Sequence, residues 1–125
     1  MKLILDNIIF CIQRMGGISV VWQELLQRAL CDPDLDCTIL DYDKGHNNLC
    51  RQALRIDQHV SLKYRRWERY RTPNIHFSEK ALFHSSYFRV LQDKCIRNVT
   101  TVHDLTYHFY RQGAAKWVHL AEEQH

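Results

Sequence analysis

Ile18, Val21, Trp22, Leu25, Leu26, Ala29 and Leu30 fall at i, i+3, i+4, i+7, i+8, i+11 and i+12. That spacing is one continuous apolar stripe along a helix. Ser19 is a candidate N-cap, and Asp32-Pro33 stops the pattern. An apolar run, Lys2 to Phe10, precedes the stripe, and a shorter one, Cys37 to Tyr42, follows it. Both read as buried strands, because the apolar residues run on rather than alternate. Strand, helix and strand within some forty residues make a βαβ unit. Such a unit winds right-handed and builds a parallel sheet. The expected fold class is therefore α/β, with a Rossmann-like, doubly wound and mostly parallel sheet.

The rest of the chain extends this frame. Asn48 to Gln58 is expected to form a helix around Leu49, Ala53, Leu54 and Ile56. Val60 to Tyr70 is expected to form another, anchored by Leu62, Trp67 and Tyr70 and ended by Pro73. Ala81 to His84 reads as a short strand, and Ser85 to Leu91 as the start of a helix. Val99 to His103 is β-branched and reads as a further strand. From Tyr107 the pattern turns helical, with a break at Gly113 and a continuation from Ala114. This makes about four strands, where a doubly wound sheet usually has five or six. The 125 residues fit one domain, expected to be incomplete.

Composition removes several alternatives. A charged fraction of 25% with 46% hydrophobic residues excludes disorder of the whole chain. A net charge of +3 is too mild to imply nucleic acid. Cys11, Cys31, Cys37, Cys50 and Cys95 are odd in number and form no C-x-x-C pair, so they suit a reducing compartment. Met1 to Ile12 is interrupted by Asp6 and Asn7, lacks a cleavage site and is too short to span a bilayer. A cytoplasmic location is expected, and the sequon Asn98-Val99-Thr100 then carries no glycan.

Ligands of open α/β sheets bind beyond the carboxyl ends of the strands. That rule selects Gly16-Gly17 after the first strand, His84-Ser85-Ser86 at the end of the 81–84 strand, and His103-Asp104 at the end of the 99–103 strand. Gly16 and Gly17 precede a helix, where backbone N–H groups and the positive helix end can cradle a phosphate. A plain strand-to-helix turn needs the same residues. His103 can hydrogen-bond a sugar hydroxyl or a developing charge, and Asp104 can accept a proton. Equally, His103 can be a satisfied buried imidazole and Asp104 a turn cap. Ser85 and Ser86 lack a G-x-S-x-G elbow, so capping of the next helix is their expected role. His103 and His108 lack the i, i+4 spacing of a helical zinc pair, and no metal site is expected.

Lys63 to Arg71 interleaves cations with Tyr64, Trp67 and Tyr70. The favoured expectation is a helix with Trp67 and Tyr70 inward and its arginines solvated. The functional alternative is contact with an anionic membrane surface or lipid-linked acceptor, which fits this run better than nucleic acid does.

These residues together resemble bacterial family 4 glycosyltransferases, retaining enzymes of the two-domain GT-B fold. The resemblance lies in Gln13-Arg14-Met15-Gly16-Gly17-Ile18-Ser19 after the first strand, in Trp22-Gln23-Glu24-Leu25-Leu26, in Phe83-His84-Ser85-Ser86-Tyr87-Phe88-Arg89, and in the stretch Val99 to Tyr107. It extends from the first strand to about Lys116. It implies an amino-terminal, acceptor-side domain that closes over a nucleotide sugar. Gly16 and Gly17 would then lie near the donor phosphates, and His84 would line the cleft. His103 would lie near the transferred sugar with Asp104 beside it. The parent would transfer a hexose such as mannose to a polysaccharide or lipid-linked acceptor, with the nucleotide sugar as substrate and no other cofactor. A carboxyl-terminal donor-binding domain is expected to be missing from this chain, and these residues alone are expected to be inactive. The contrasting expectation is a non-catalytic α/β binding module acting through a partner or an anionic surface.

Overall fold

A computed structural model describes residues 1–103. Five strands, β1 (Lys2–Asp6), β2 (Asp36–Tyr42), β3 (Val60–Leu62), β4 (Ala81–Ser85) and β5 (Ile96–Thr100), form one sheet in the order β3-β2-β1-β4-β5. Every pairing is parallel. Three helices accompany them: α1 (Ile9–Ile12), α2 (Gly17–Cys31) and α3 (Leu49–Gln52). Short 3₁₀ turns occupy Asp43–Asn47 and Glu68–Tyr70.

The sheet is covered on both faces. Leu5 and Ile39 pack beneath Trp22, Leu26 and Ala29 of α2 and beneath Cys50 and Leu54. Ile4, Leu40, Ala81, Phe83 and Ile96 pack on the opposite face beneath Leu91, Ile75 and Phe77. The crossovers β1–β2 and β2–β3 therefore cover one face, and β3–β4 and β4–β5 cover the other. This is an α/β fold with Rossmann-like winding, and the strand order reverses between β1 and β4.

The βαβ expectation holds, with corrections at its ends. The apolar run from Lys2 does not stay extended to Phe10: the strand stops at Asp6, and Ile9–Ile12 makes one helical turn. Ile8, Ile9 and Phe10 are buried all the same. A fully buried run has no period to separate strand from helix. In α2 the stripe that reaches the core is narrower than seven residues. Trp22, Leu26 and Ala29 are buried, whereas Val21 is 51% and Leu30 39% exposed. The N-cap is Gly16 rather than Ser19, which lies inside the helix and is buried. Asp32 ends the helix in extended conformation before Pro33, as the steric demand of proline requires.

Two expected helices do not form. Val60 to Tyr70 supplies the edge strand β3 and, after an irregular stretch, a single 3₁₀ turn. Leu62 and Tyr64, two apart, pack against one cluster with Ile8, Cys11 and Tyr42, which is the period of a strand. Trp67 breaks any helix with a φ of 65°. The sheet therefore has five strands where about four were counted. Ser85 to Leu91 is not helical either, and at its end the Asn98 side chain pairs with the Leu91 backbone as a strand partner would. Leu91 N–H donates to Asn98 Oδ1 at 2.8 Å, and Asn98 Nδ2 donates to Leu91 O at 3.0 Å. The Asn48–Gln58 helix shortens to α3, capped by Asn48, whose Oδ1 accepts from Arg51 N–H. The strand expected over Val99 to His103 covers Ile96–Thr100 instead.

Candidate functional site

The strand ends β1, β2 and β4 carry buried polar side chains, and these divide between the two faces of the sheet. On the helix-covered face, Asn7 Nδ2 donates to Asp41 Oδ1 at 3.1 Å, and Trp22 Nε1 donates to Asn7 Oδ1 at 2.8 Å. Arg51 Nη2 donates to Asp41 Oδ2 at 2.7 Å, and its Nε adds bonds to both carboxylate oxygens. Burial pushes the Asp41 carboxyl up, but the hydrogen bonds from Arg51 and Asn7, with the Arg51 charge, outweigh it and leave the group below its ordinary value. Asn48 Nδ2 continues the network to Ser19 Oγ and to Gln13 O.

On the opposite face, Asp6 accepts from Tyr42 OH at 3.0 Å and from Ser85 Oγ at 2.7 Å. Arg89 Nη1 lies 3.5 Å from Asp6 Oδ2 and donates to Tyr42 OH at 2.7 Å. The other guanidinium nitrogens reach Arg71 O and Glu68 Oε1. Complete burial of Asp6 raises its carboxyl above the ordinary range, against the opposing pull of Arg89, Ser85 and Tyr42. Both networks escaped the sequence reading. Their members lie up to 83 positions apart, and a buried ion pair leaves no local periodic signal.

Gly16 has a φ of 177°, ordinary extended backbone, so its conformation does not demand glycine. A Cβ there would come within 2.5 Å of Gln13 Oε1, the atom that accepts from Ser19 Oγ. Gly17 is the first residue of α2, is exposed, and a Cβ on it would meet nothing within 4 Å among the described residues. With respect to those residues the helix opens to free space at Gly17, and its first turn has no acidic side chain.

His84 lies near the end of β4 on the α2 side. Its ring meets the Trp22 indole edge-on at 5.1 Å and 87°, and its Nε2 shares a 2.9 Å hydrogen bond with Thr101 Oγ1. Trp22 stands five residues into α2 from Gly17, about 7.5 Å along a helix axis. Partial burial lowers the His84 imidazole from its ordinary value, and the nearby His103 lowers it further. His103 itself is exposed. The structure therefore places Gly17, Trp22 and His84 in sequence from the opening of α2 to the end of β4. Asp104 lies outside the described residues.

Ser85 and Ser86 do not cap a helix that follows them, and Ser86 instead serves the first turn of α1. Ser85 Oγ also accepts from Tyr87 N–H at 3.1 Å, while Ser86 Oγ donates to Asp6 O at 2.7 Å and accepts from Ile9 N–H at 2.9 Å. Both hydroxyl protons are committed, so neither serine is poised as a nucleophile. The Cys11 thiol is buried and pushed up to about 12, which removes it as a thiolate. Among the described residues, no three His, Cys, Asp or Glu side chains are grouped to hold a metal ion, and no helix is long and apolar enough to cross a membrane. A shallow cavity of about 70 Å³ lies on the other side of β4's end, bordered by Arg69, Arg71, Phe88 and Val90 and by none of Gly16, Gly17, His84 and His103. No known protein family, curated protein sequence or solved structure matches this chain.

Proposed function

We propose that this chain is the acceptor-side domain of a retaining glycosyltransferase of GT-B type, receiving the diphosphate of a nucleotide sugar at the opening of α2. The observation that carries it is the open first turn at Gly17, followed along α2 by Trp22 and then by His84 across from it, beside the reversal of strand order. Exposed backbone N–H groups and the positive end of a 15-residue helix favour an oxyanion there. A neutral imidazole at His84 can donate to or accept from a sugar hydroxyl without adding charge beside the phosphates. In this proposal His103 and Asp104 stand at the transferred sugar, a hexose such as mannose. The glycan or lipid-linked acceptor approaches from the same edge.

The test is an amide NMR titration of the chain with a nucleotide diphosphate sugar such as GDP-mannose. Expected are saturable shifts at Gly16, Gly17, Ile18 and the His84 ring. Silence at all four at millimolar donor rejects the proposal. Gly17→Asp sharpens it. The new side chain has room, and an acid in the first turn of a helix favours folding, so the thermal midpoint should hold or rise. The same carboxylate would repel a phosphate, and donor affinity should fall at least tenfold.

A further inference from the structure

The segment Lys63 to Arg71 does not hide its aromatic residue. Trp67 is 56% exposed and sits at a φ of 65°, the sole non-glycine residue with positive φ among the described residues. A bulky side chain in that region is an outlier whose cost must be met by its surroundings. The surroundings are specific. Glu68 N–H donates to Arg65 O at 2.9 Å and Tyr70 N–H donates to Trp67 O at 3.0 Å. From below, buried Arg89 grips the same turn through Arg71 O at 2.9 Å and Glu68 Oε1 at 3.4 Å. The turn is fastened to the sheet in a form that points an indole at solvent.

Cations surround that indole. Lys63, Arg65, Arg66 and Arg71 are exposed and Arg69 is partly so, while the one acid among them, Glu68, is engaged by Arg89. Further apolar surface adjoins: Phe88 is 58% and Val90 40% exposed, and both border the shallow cavity that Arg69 and Arg71 line. Cations around exposed Trp, Phe and Val are the chemistry of a surface that enters the headgroup layer of an anionic bilayer.

We propose that this face docks on a membrane rich in anionic phospholipid, with Trp67 and Phe88 entering the interface and Lys63, Arg65, Arg66, Arg69 and Arg71 meeting the headgroups. Nucleic acid is the poorer fit. The Trp67 ring is flanked by the Arg66 guanidinium at 5.5 Å and the Tyr70 ring at 6.0 Å, so it offers no clear platform for a base to stack on. Val90 likewise has no role against a phosphodiester backbone. The proposal is independent of sugar transfer and stands whether or not the chain binds a nucleotide sugar.

The experiment is co-sedimentation of the full chain with vesicles of phosphatidylcholine alone and of phosphatidylcholine with one third phosphatidylglycerol. Expected is binding to the anionic vesicles only, lost as salt is raised. The exposed pair Arg65→Glu/Arg66→Glu should lower the partition coefficient at least tenfold, and Trp67→Ala should lower it while keeping the salt dependence. Brominated lipid should quench part of the wild-type tryptophan emission and none of that part in Trp67→Phe, a readout that needs no charge reversal. Equal binding to neutral vesicles, no binding to anionic ones, or quenching unchanged in Trp67→Phe would overturn the proposal. So would displacement from vesicles by a single-stranded oligonucleotide at lower charge concentration than free phosphatidylglycerol vesicles require.

Discussion

Asp6 and Asp41 show how much of this molecule rests on single side chains. They sit at the ends of adjacent strands on opposite faces, and each has one buried arginine, Arg89 or Arg51. Removing one partner of such a pair leaves a charge without compensation, at a cost of about 3–5 kcal/mol. Arg51→Ala should therefore lower the unfolding free energy by about that amount in urea titrations. A loss under about 1 kcal/mol would mean that Asp41 finds water or another partner. None of this was legible beforehand. Asp6 reads in sequence as an interruption of an apolar run and Asp41 as part of a short strand, and nothing local ties Arg51 or Arg89 to either carboxylate. The partners come together only after the sheet forms, so no local pattern marks them.

At the scale of elements, α2 was the most legible and also the most instructive. Its period was strong enough to place the helix, yet period alone could not say how much of the stripe is covered. Leu26 is fully buried and Val21 half exposed. Leu26→Ala should cost about 2–5 kcal/mol, and Val21→Ala within about 0.5 kcal/mol of zero, as read from thermal or urea unfolding. Comparable losses at both sites would mean that Val21 is covered in solution. The segment 60–70 failed for a physical reason. Four cations and three aromatics fit a helix and a basic loop equally, and the deciding factors were Arg89 and the edge of β2, both remote in sequence. Ser85 and Ser86 failed similarly, since a hydroxyl next to a strand end serves a helix cap or a carboxylate equally well until the neighbour is known.

For the molecule as a whole, the first forty residues were enough to set the parallel winding, and the edge that gathers Gly16, Gly17, His84 and His103 follows from that winding. Their neighbours at that edge were not predictable, because Trp22 was assigned to the core and Thr101 to a strand. The whole-molecule consequence is a graded acid sensitivity. The His84 imidazole is depressed, so its contribution to stability is complete above its ordinary value of 6.5 and is lost as pH falls toward the lower folded value. Asp41 is also depressed; its contribution is complete above 3.8 and disappears as pH falls further. Asp6 has the opposite sign: raised by burial, it favours the folded state below 3.8, and that advantage is lost as pH rises through its folded value. Urea midpoints followed downward from neutral pH should fall first on the acid side of 6.5. His84→Gln should flatten that first step and leave the more acidic one. An unchanged first step would assign it to another histidine.

Arg89 joins regions that sequence and surface keep apart. One side chain spans from the carboxylate at the end of β1 to the carbonyl and carboxylate of the turn behind Trp67. Its position is that of a strut between the sheet and the turn. Thermodynamic linkage then imposes symmetry. If a ligand at the strand ends binds more tightly while the strut is seated, a surface that steadies the turn strengthens that ligand by the same factor. Donor affinity measured with and without anionic vesicles reads that factor directly.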